Sequence, residues 1–139
     1  MRDIEGKGQY AFRAKLAVQY EDVLASVGDA LKTEGFGVLT SIDMQATLRE
    51  KLGAEFRKYS ILGVCNPLLA QRALNEDLEA GLVLPCTVVI YEEGSGSEIA
   101  IADPMTVVDL LGNPALRRIA EEAQTKLKRV LEVMKGKAA

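Results

Sequence analysis

The chain has 139 residues, of which 48% are hydrophobic and 27% charged, and its formal net charge is -3 at pH 7. These values fit one globular domain, residues 1–139, with a core that needs no disulfide or metal staple. Because both charge signs are interspersed and no apolar run reaches the ~20 residues that span a bilayer, we expect binding to neither nucleic acid nor membrane. Histidine is absent, which excludes Ser-His-Asp and Cys-His catalysis and imidazole-dependent zinc sites.

The first two predicted elements are a strand and an amphipathic helix. Apolar side chains alternate with polar ones over residues 10–18, which is typical of a half-buried strand. Apolar residues then recur at helical spacing over about residues 21–34. Gly35 suits the left-handed conformation that ends many helices, and Phe36 can then fold back onto Leu31.

The middle of the chain alternates strands with short helices. After a second strand over residues 37–42, Asp43 can cap a small helix that ends at Gly53, with the apolar residues Met44, Leu48 and Leu52 on one side. Three more strands are predicted from their β-branched and alternating composition, at residues 59–65, 86–92 and 98–102. Residues 93–97 read as the hairpin loop between the last two.

Three Asx-Pro pairs mark helix starts, because each places a capping side chain before the residue best suited to the first helical position. These pairs are Asn66-Pro67, Asp103-Pro104 and Asn113-Pro114. The helix that starts after the Asn66-Pro67 pair is predicted to turn four residues inward: Leu69, Ala70, Ala73 and Leu74. The last helix carries an apolar stripe of Leu116, Ala120, Ala123, Leu127, Val130 and Met134, for which packing on the sheet is favoured over a coiled-coil dimer.

This order of elements predicts an α+β fold, an antiparallel sheet of about five strands with helices on one face. If strands two to five form a meander, the end of strand three lies beside the start of strand four and near the end of strand five. Cys65, Cys86 and Asp103 would then gather at one end of the sheet.

Five segments of the chain resemble the family catalogued as domain of unknown function 302. They are Gly63-Val64-Cys65-Asn66-Pro67, Leu84-Pro85-Cys86, Asp103-Pro104-Met105, Glu34-Gly35-Phe36-Gly37-Val38-Leu39 and Ala46-Thr47-Leu48-Arg49-Glu50-Lys51-Leu52-Gly53. The resemblance implies a fold like that of the TATA-box-binding protein, strand-helix-four strands-helix, and a homodimer. It implies no activity, and similarity of fold to a DNA-binding protein does not carry function over.

The candidate site comprises the residues around this predicted convergence: Cys65, Asn66, Pro67, Cys86, Asp103 and Met105. A thiol before a helix start can be stabilised as a reactive thiolate, although most free cysteines are inert, buried and apolar. The helix starts can bind an anion through free N–H groups, unless the Asx side chains already accept from them. Two thiols with Met105 would suit Cu(I) better than zinc, but we expect neither a metal nor another cofactor.

Three functions stay open at this point. The favoured one is a non-catalytic, homodimeric cytoplasmic module with a small-ligand or thiol-dependent binding site around Cys65 and Cys86. The second is a thiol-based redox enzyme at the same place. The third is a structural or protein-interaction domain without a pocket.

Overall fold

The computed structural model describes residues 10–138; residues 1–9 and 139, which the predicted domain includes, lie outside the described residues. Within the described residues, five strands and five helices follow one another in the order β1 Ala11–Leu16, α1 Tyr20–Lys32, β2 Gly37–Asp43, α2 Met44–Leu52, β3 Tyr59–Cys65, α3 Pro67–Glu76, β4 Cys86–Glu93, β5 Gly96–Ala102, α4 Pro104–Val108 and α5 Pro114–Ala138. Two 3₁₀ segments that the sequence did not predict, Leu78–Val83 and Asp109–Leu111, follow α3 and α4.

The five strands form one antiparallel sheet in the order β1-β5-β4-β3-β2. Strands β2 to β5 are therefore a meander, and β1 joins it by pairing with β5. The predicted fold class and the predicted meander are both confirmed. A meander brings the end of β3, the start of β4 and the end of β5 to the same end of the sheet.

The hydrophobic core lies between one face of the sheet and the helices. Alternate strand residues supply one side of it, among them Leu62, Val88 and Ile99. The apolar stripe predicted for the last helix is buried along its whole length. Packing on the sheet is therefore confirmed, and the stripe is not available for a coiled-coil dimer.

The predicted helix ends are confirmed in detail. Gly35 is left-handed, with φ 81°, and the Phe36 N–H donates to the Leu31 carbonyl at 3.0 Å while the Gly35 N–H donates to Lys32. This pair of bonds is the Schellman motif, which satisfies carbonyls that the end of a helix leaves free. Asp43 likewise caps α2 by accepting from the Ala46 N–H at 3.0 Å.

Two local predictions were wrong. The hairpin between β4 and β5 is shorter than the predicted loop over residues 93–97, because Glu93 pairs with Gly96 and left-handed Gly94 closes a tight turn. Leu74, predicted to point inward, is 36% exposed. It lies one residue past buried Ala73, and a step of about 100° around the helix turns its side chain away from the core.

None of the helices among residues 10–138 is both long enough and apolar enough to cross a lipid bilayer.

Candidate functional site

A cavity of about 370 Å³ opens at the end of the sheet where β3 ends and β4 begins. Its walls are the ends of β3, β4 and β5 together with helices α3, α4 and α5 and the 3₁₀ segment Leu78–Val83. Most of the lining is apolar, contributed by leucine, valine and alanine side chains. Ligand sites are commonly concave, largely apolar and of this size.

The register of β3 and β4 places both cysteines at the end of the sheet where the cavity opens. Val64 is the partner of Cys86, so Cys65 stands one residue beyond that pair, at the end of β3. By the pleat of the strands, consecutive residues Val64 and Cys65 point to opposite faces. Both thiols nevertheless border the cavity, which lies at the strand ends. The predicted gathering of Cys65, Cys86 and Asp103 at one end of the sheet is confirmed.

Small side chains on two helices leave the space open. Ala70 and Ala73 line the cavity from α3, and Ala120 and Ala123 line it from α5, each pair three residues apart on its helix. Residues at this spacing share one face of a helix. The sequence showed these alanines as parts of two core stripes, and their small size was the available signal that the core is incomplete here.

Asn66 holds two of the motif segments together. Its side-chain oxygen accepts from the Leu69 N–H at 3.2 Å and caps α3, while its amide donates to the Glu34 carbonyl at 3.2 Å. A Cβ at Gly35 would lie only 3.0 Å from that amide nitrogen. Both polar ends of Asn66 are thus used structurally, which favours a supporting role over direct contact with a ligand.

Asp103 is 8% exposed and caps α4 by accepting from the Met105 N–H at 2.9 Å. Gln124 of α5 donates its Nε2 to both carboxylate oxygens, at 3.1 and 3.2 Å. Sequence reasoning missed Gln124, because a glutamine among the exposed residues of a long helix carries no sign of its distant partner.

Burial raises the pKa of both thiols. The pKa of Cys86 rises to about 11, first because burial penalises the thiolate and second because Cys65 lies nearby. The pKa of Cys65 is also raised, by burial alone. The thiols are therefore protonated near neutral pH, the less nucleophilic form.

Four of the six candidate residues border the cavity and two do not. Cys65, Asn66, Cys86 and Asp103 line it, whereas Pro67 and Met105 lie outside it. Within residues 10–138 no three His, Cys, Asp or Glu side chains are grouped as metal ligands.

The mouth of the cavity lies beside the 3₁₀ segment and the start of β4. Leu82 borders the cavity and is still 79% exposed, so its side chain stands at the entrance. Pro85 and Thr87, which also line the cavity, are exposed as well. These exposed residues mark the part of the lining that reaches solvent.

Comparison with known proteins gives a family and a structural relative. Residues 12–134 match the family model described as "Domain of unknown function DUF302". The crystal structure of an uncharacterized conserved protein DUF302 from Bacillus stearothermophilus superimposes with a TM-score of 0.81 at 32% identity, covering 94% of this chain and 99% of that one. A comparison with curated proteins found no match. These findings confirm the resemblance that the motifs predicted.

Proposed function

Because the chain belongs to the DUF302 family, whose description states no activity, we propose its function from the cavity: the domain binds one small, largely apolar molecule and does not transform it. The observation that carries the proposal is the cavity of about 370 Å³ at the end of the sheet. An apolar cavity of ~150 Å³ accommodates benzene, so this one has room for a molecule about twice as large.

The position of the cavity supports binding over a packing defect. Core defects large enough for a ligand are few in a domain, and dense packing is the rule. Here the space is open to solvent at Leu82, and alanines of α3 and α5 face it from two sides. A molecule that filled it would remove this apolar surface from water and gain about 25 cal/mol for each Å².

The raised pKa of both thiols supports binding over the redox alternative. A thiol-based enzyme needs a thiolate near neutral pH, and burial disfavours that form at Cys65 and at Cys86. In the proposed site the thiols are two apolar, polarisable parts of the wall. An anionic ligand is also disfavoured, because Asn66 and Asp103 already accept the N–H groups of the helix starts and Asp103 adds a negative charge.

We also propose that the domain is a cytoplasmic homodimer. Among residues 10–138, strand β2 pairs on one side only, with β3. Its apolar residues Val38, Leu39 and Ile42 are exposed, and residues 37–42 carry no charge that would discourage pairing. Equilibrium sedimentation should give twice the chain mass, and Leu39→Lys should give the monomer. A monomeric wild type would contradict this part of the proposal.

Ligand binding is testable by filling the cavity. We expect Ala70→Leu, which adds a large side chain on the cavity wall, to weaken binding of a neutral, fluorescent apolar probe such as N-phenyl-1-naphthylamine at least tenfold. The matched control is Ala46→Leu on the exposed surface of α2, which should bind the probe like the wild type. Equal binding by all three proteins would show that the probe binds elsewhere and would contradict the proposal.

A further inference from the structure

One charged residue lines the cavity, in a lining that is otherwise neutral and mostly apolar. Asp103 carries the single carboxylate among the described residues that line it, and no lysine or arginine lines it. Asp103 forms no ion pair within residues 10–138. A buried charge without an opposite partner is unfavourable unless hydrogen bonds or a ligand compensate for it.

The Asp103 carboxylate can accept more hydrogen bonds than the protein donates to it. Its Oδ1 accepts from the Met105 N–H and from Gln124, while Oδ2 accepts from the same Gln124 nitrogen at 3.2 Å. An ionised carboxylate can accept about four hydrogen bonds. One neutral amide shared between both oxygens therefore leaves Oδ2 able to accept at least one more donor.

We propose that the ligand of this cavity is a small apolar molecule that ends in a protonated amine, and that the ammonium group pairs with Asp103. This inference rests on the proposed binding function and names the class of its ligand. A charge-assisted hydrogen bond from the ammonium to Oδ2 would compensate the buried carboxylate, and such bonds are about twice as strong as neutral ones. The net charge of -3 also favours association with a cation.

The proposal is tested with three molecules of equal chain length that differ in their head group: octylamine, 1-octanol and octanoate. Calorimetry at pH 7 measures the affinity of each, and octylamine is then protonated as a lysine amine would be. We expect octylamine to bind at least tenfold more tightly than octanol, and octanoate to bind most weakly, because its charge repels Asp103.

Two variants test the role of the Asp103 carboxylate. One removes its charge, and the other removes the side chain that now donates a hydrogen bond to it. Asp103→Asn keeps an N-cap and the shape of the side chain but removes the charge, so octylamine should lose at least tenfold in affinity while octanol changes less than about twofold. Gln124→Met removes the donor that now compensates Asp103, so octylamine should bind more tightly relative to octanol. Asp43→Asn, which alters the exposed cap of α2, is the matched control and should change no affinity.

The outcomes separate this inference from the function on which it rests. If octanol binds and the three head groups bind equally well, the cavity binds apolar molecules and the role of Asp103 is refuted. If none of the three molecules binds, the proposed function itself is refuted, and the ligand class with it. Should Asp103→Asn fail to fold, Gln124→Met still decides: an unchanged ratio of octylamine to octanol affinity overturns the proposal.

Discussion

The two ends of the sheet differ in how completely they are packed. At the end where β3 begins, Tyr20 and Ser60 share a buried hydrogen bond, Ser97 donates to the Val18 carbonyl, and a Cβ at Gly96 would lie 2.3 Å from backbone oxygen. At the end where β3 finishes, a cavity of about 370 Å³ stays open. Gly96 at the filled end has no room for a methyl group, whereas the cavity at the other end has room for a molecule.

This difference in packing sets the end whose buried hydroxyls are paired apart from the end where we propose that a ligand binds. At the filled end, the hydroxyls of Tyr20, Ser60 and Ser97 have hydrogen-bond partners within the chain, as most buried polar groups do. At the open end, Asn66 and Asp103 are also bonded, but the apolar wall lacks the atoms that would complete its packing. Incomplete packing forfeits dispersion energy, so the open end is the region where a bound ligand would add stability.

The largest effect is expected in the core that joins the two ends. Leu127 is fully buried on α5, so Leu127→Ala should lower the free energy of unfolding by about 2–5 kcal/mol as a cavity mutation. Chemical denaturation monitored by circular dichroism measures it. Leu52→Ala, at an exposed position of α2, is the control and should stay within ~0.5 kcal/mol of the wild type. Equal effects at the two positions would contradict the assignment of α5 to the core.

We expect the free energy of unfolding to depend on pH through the buried Cys86 thiol at the open end of the sheet. The pKa of Cys86 is raised from 9.0 to about 11, so the folded state holds its proton more tightly than the unfolded state does. That contribution is fully present below pH 9 and is lost as pH rises toward 11, by about 2–3 kcal/mol in the free energy of unfolding. Denaturation from pH 8 to 11 should therefore show a steeper decline in the wild type than in Cys86→Ala.

Cys65→Ala is the matched control for this measurement, because the same kind of residue is removed from the same end of the sheet. Burial also raises the pKa of Cys65, but by less than it raises the pKa of Cys86. Its removal should flatten the pH dependence less than removal of Cys86 does. Identical slopes in the wild type and in Cys86→Ala would mean that the Cys86 thiol is not buried from solvent.

Much of the fold was predictable because local signals and the order of the elements agreed. The Asx-Pro pairs gave three helix starts, and Asn66, Asp103 and Asn113 do cap α3, α4 and α5. The order of the strands along the chain, with small helical insertions between them, predicted the meander. Local propensity and chain order were sufficient here because neighbouring elements in the sequence are also neighbours in space.

The candidate site was only partly predictable, because cavities depend on volume between elements that are distant in sequence. Chain order brought Cys65, Cys86 and Asp103 together, and the structure agrees. It did not reveal that Gln124 reaches Asp103, since a hydrogen bond across 21 residues leaves no local pattern. The order of the elements also did not distinguish alanines that face a cavity from alanines that face a packed neighbour.

A smaller effect is expected from the buried hydrogen bond at the filled end. Tyr20→Phe removes the phenol that bonds the Ser60 hydroxyl, and leaving that hydroxyl without its partner should cost about 1–2 kcal/mol of unfolding free energy. Denaturation of Tyr20→Phe, Ser60→Ala and the double variant measures the coupling. We expect the double variant to be less destabilised than the sum of the single variants. Strict additivity would show that the two hydroxyls do not interact.

The smallest change in stability is expected at the cavity wall, when the same two methyl groups are added at a buried alanine there and at one in the packed core. Ala30→Val in α1 enlarges a side chain that is 1% exposed in the packed core and does not border the cavity, so overpacking should cost about 1–3 kcal/mol. Ala73→Val in α3 enlarges a side chain on the cavity wall, where the new methyl groups have space and apolar neighbours.

Both substitutions place a β-branched residue in a helix, so the propensity penalty of a few tenths of a kcal/mol is common to them and cancels in the comparison. Ala73→Val should therefore remain within ~0.5 kcal/mol of the wild type, because new contacts on the cavity wall offset that penalty. Chemical denaturation of the two variants beside the wild type gives the difference directly. If Ala73→Val is as destabilising as Ala30→Val, the space at the end of β3 closes in solution, and the cavity wall is packed as densely as the core around Ala30.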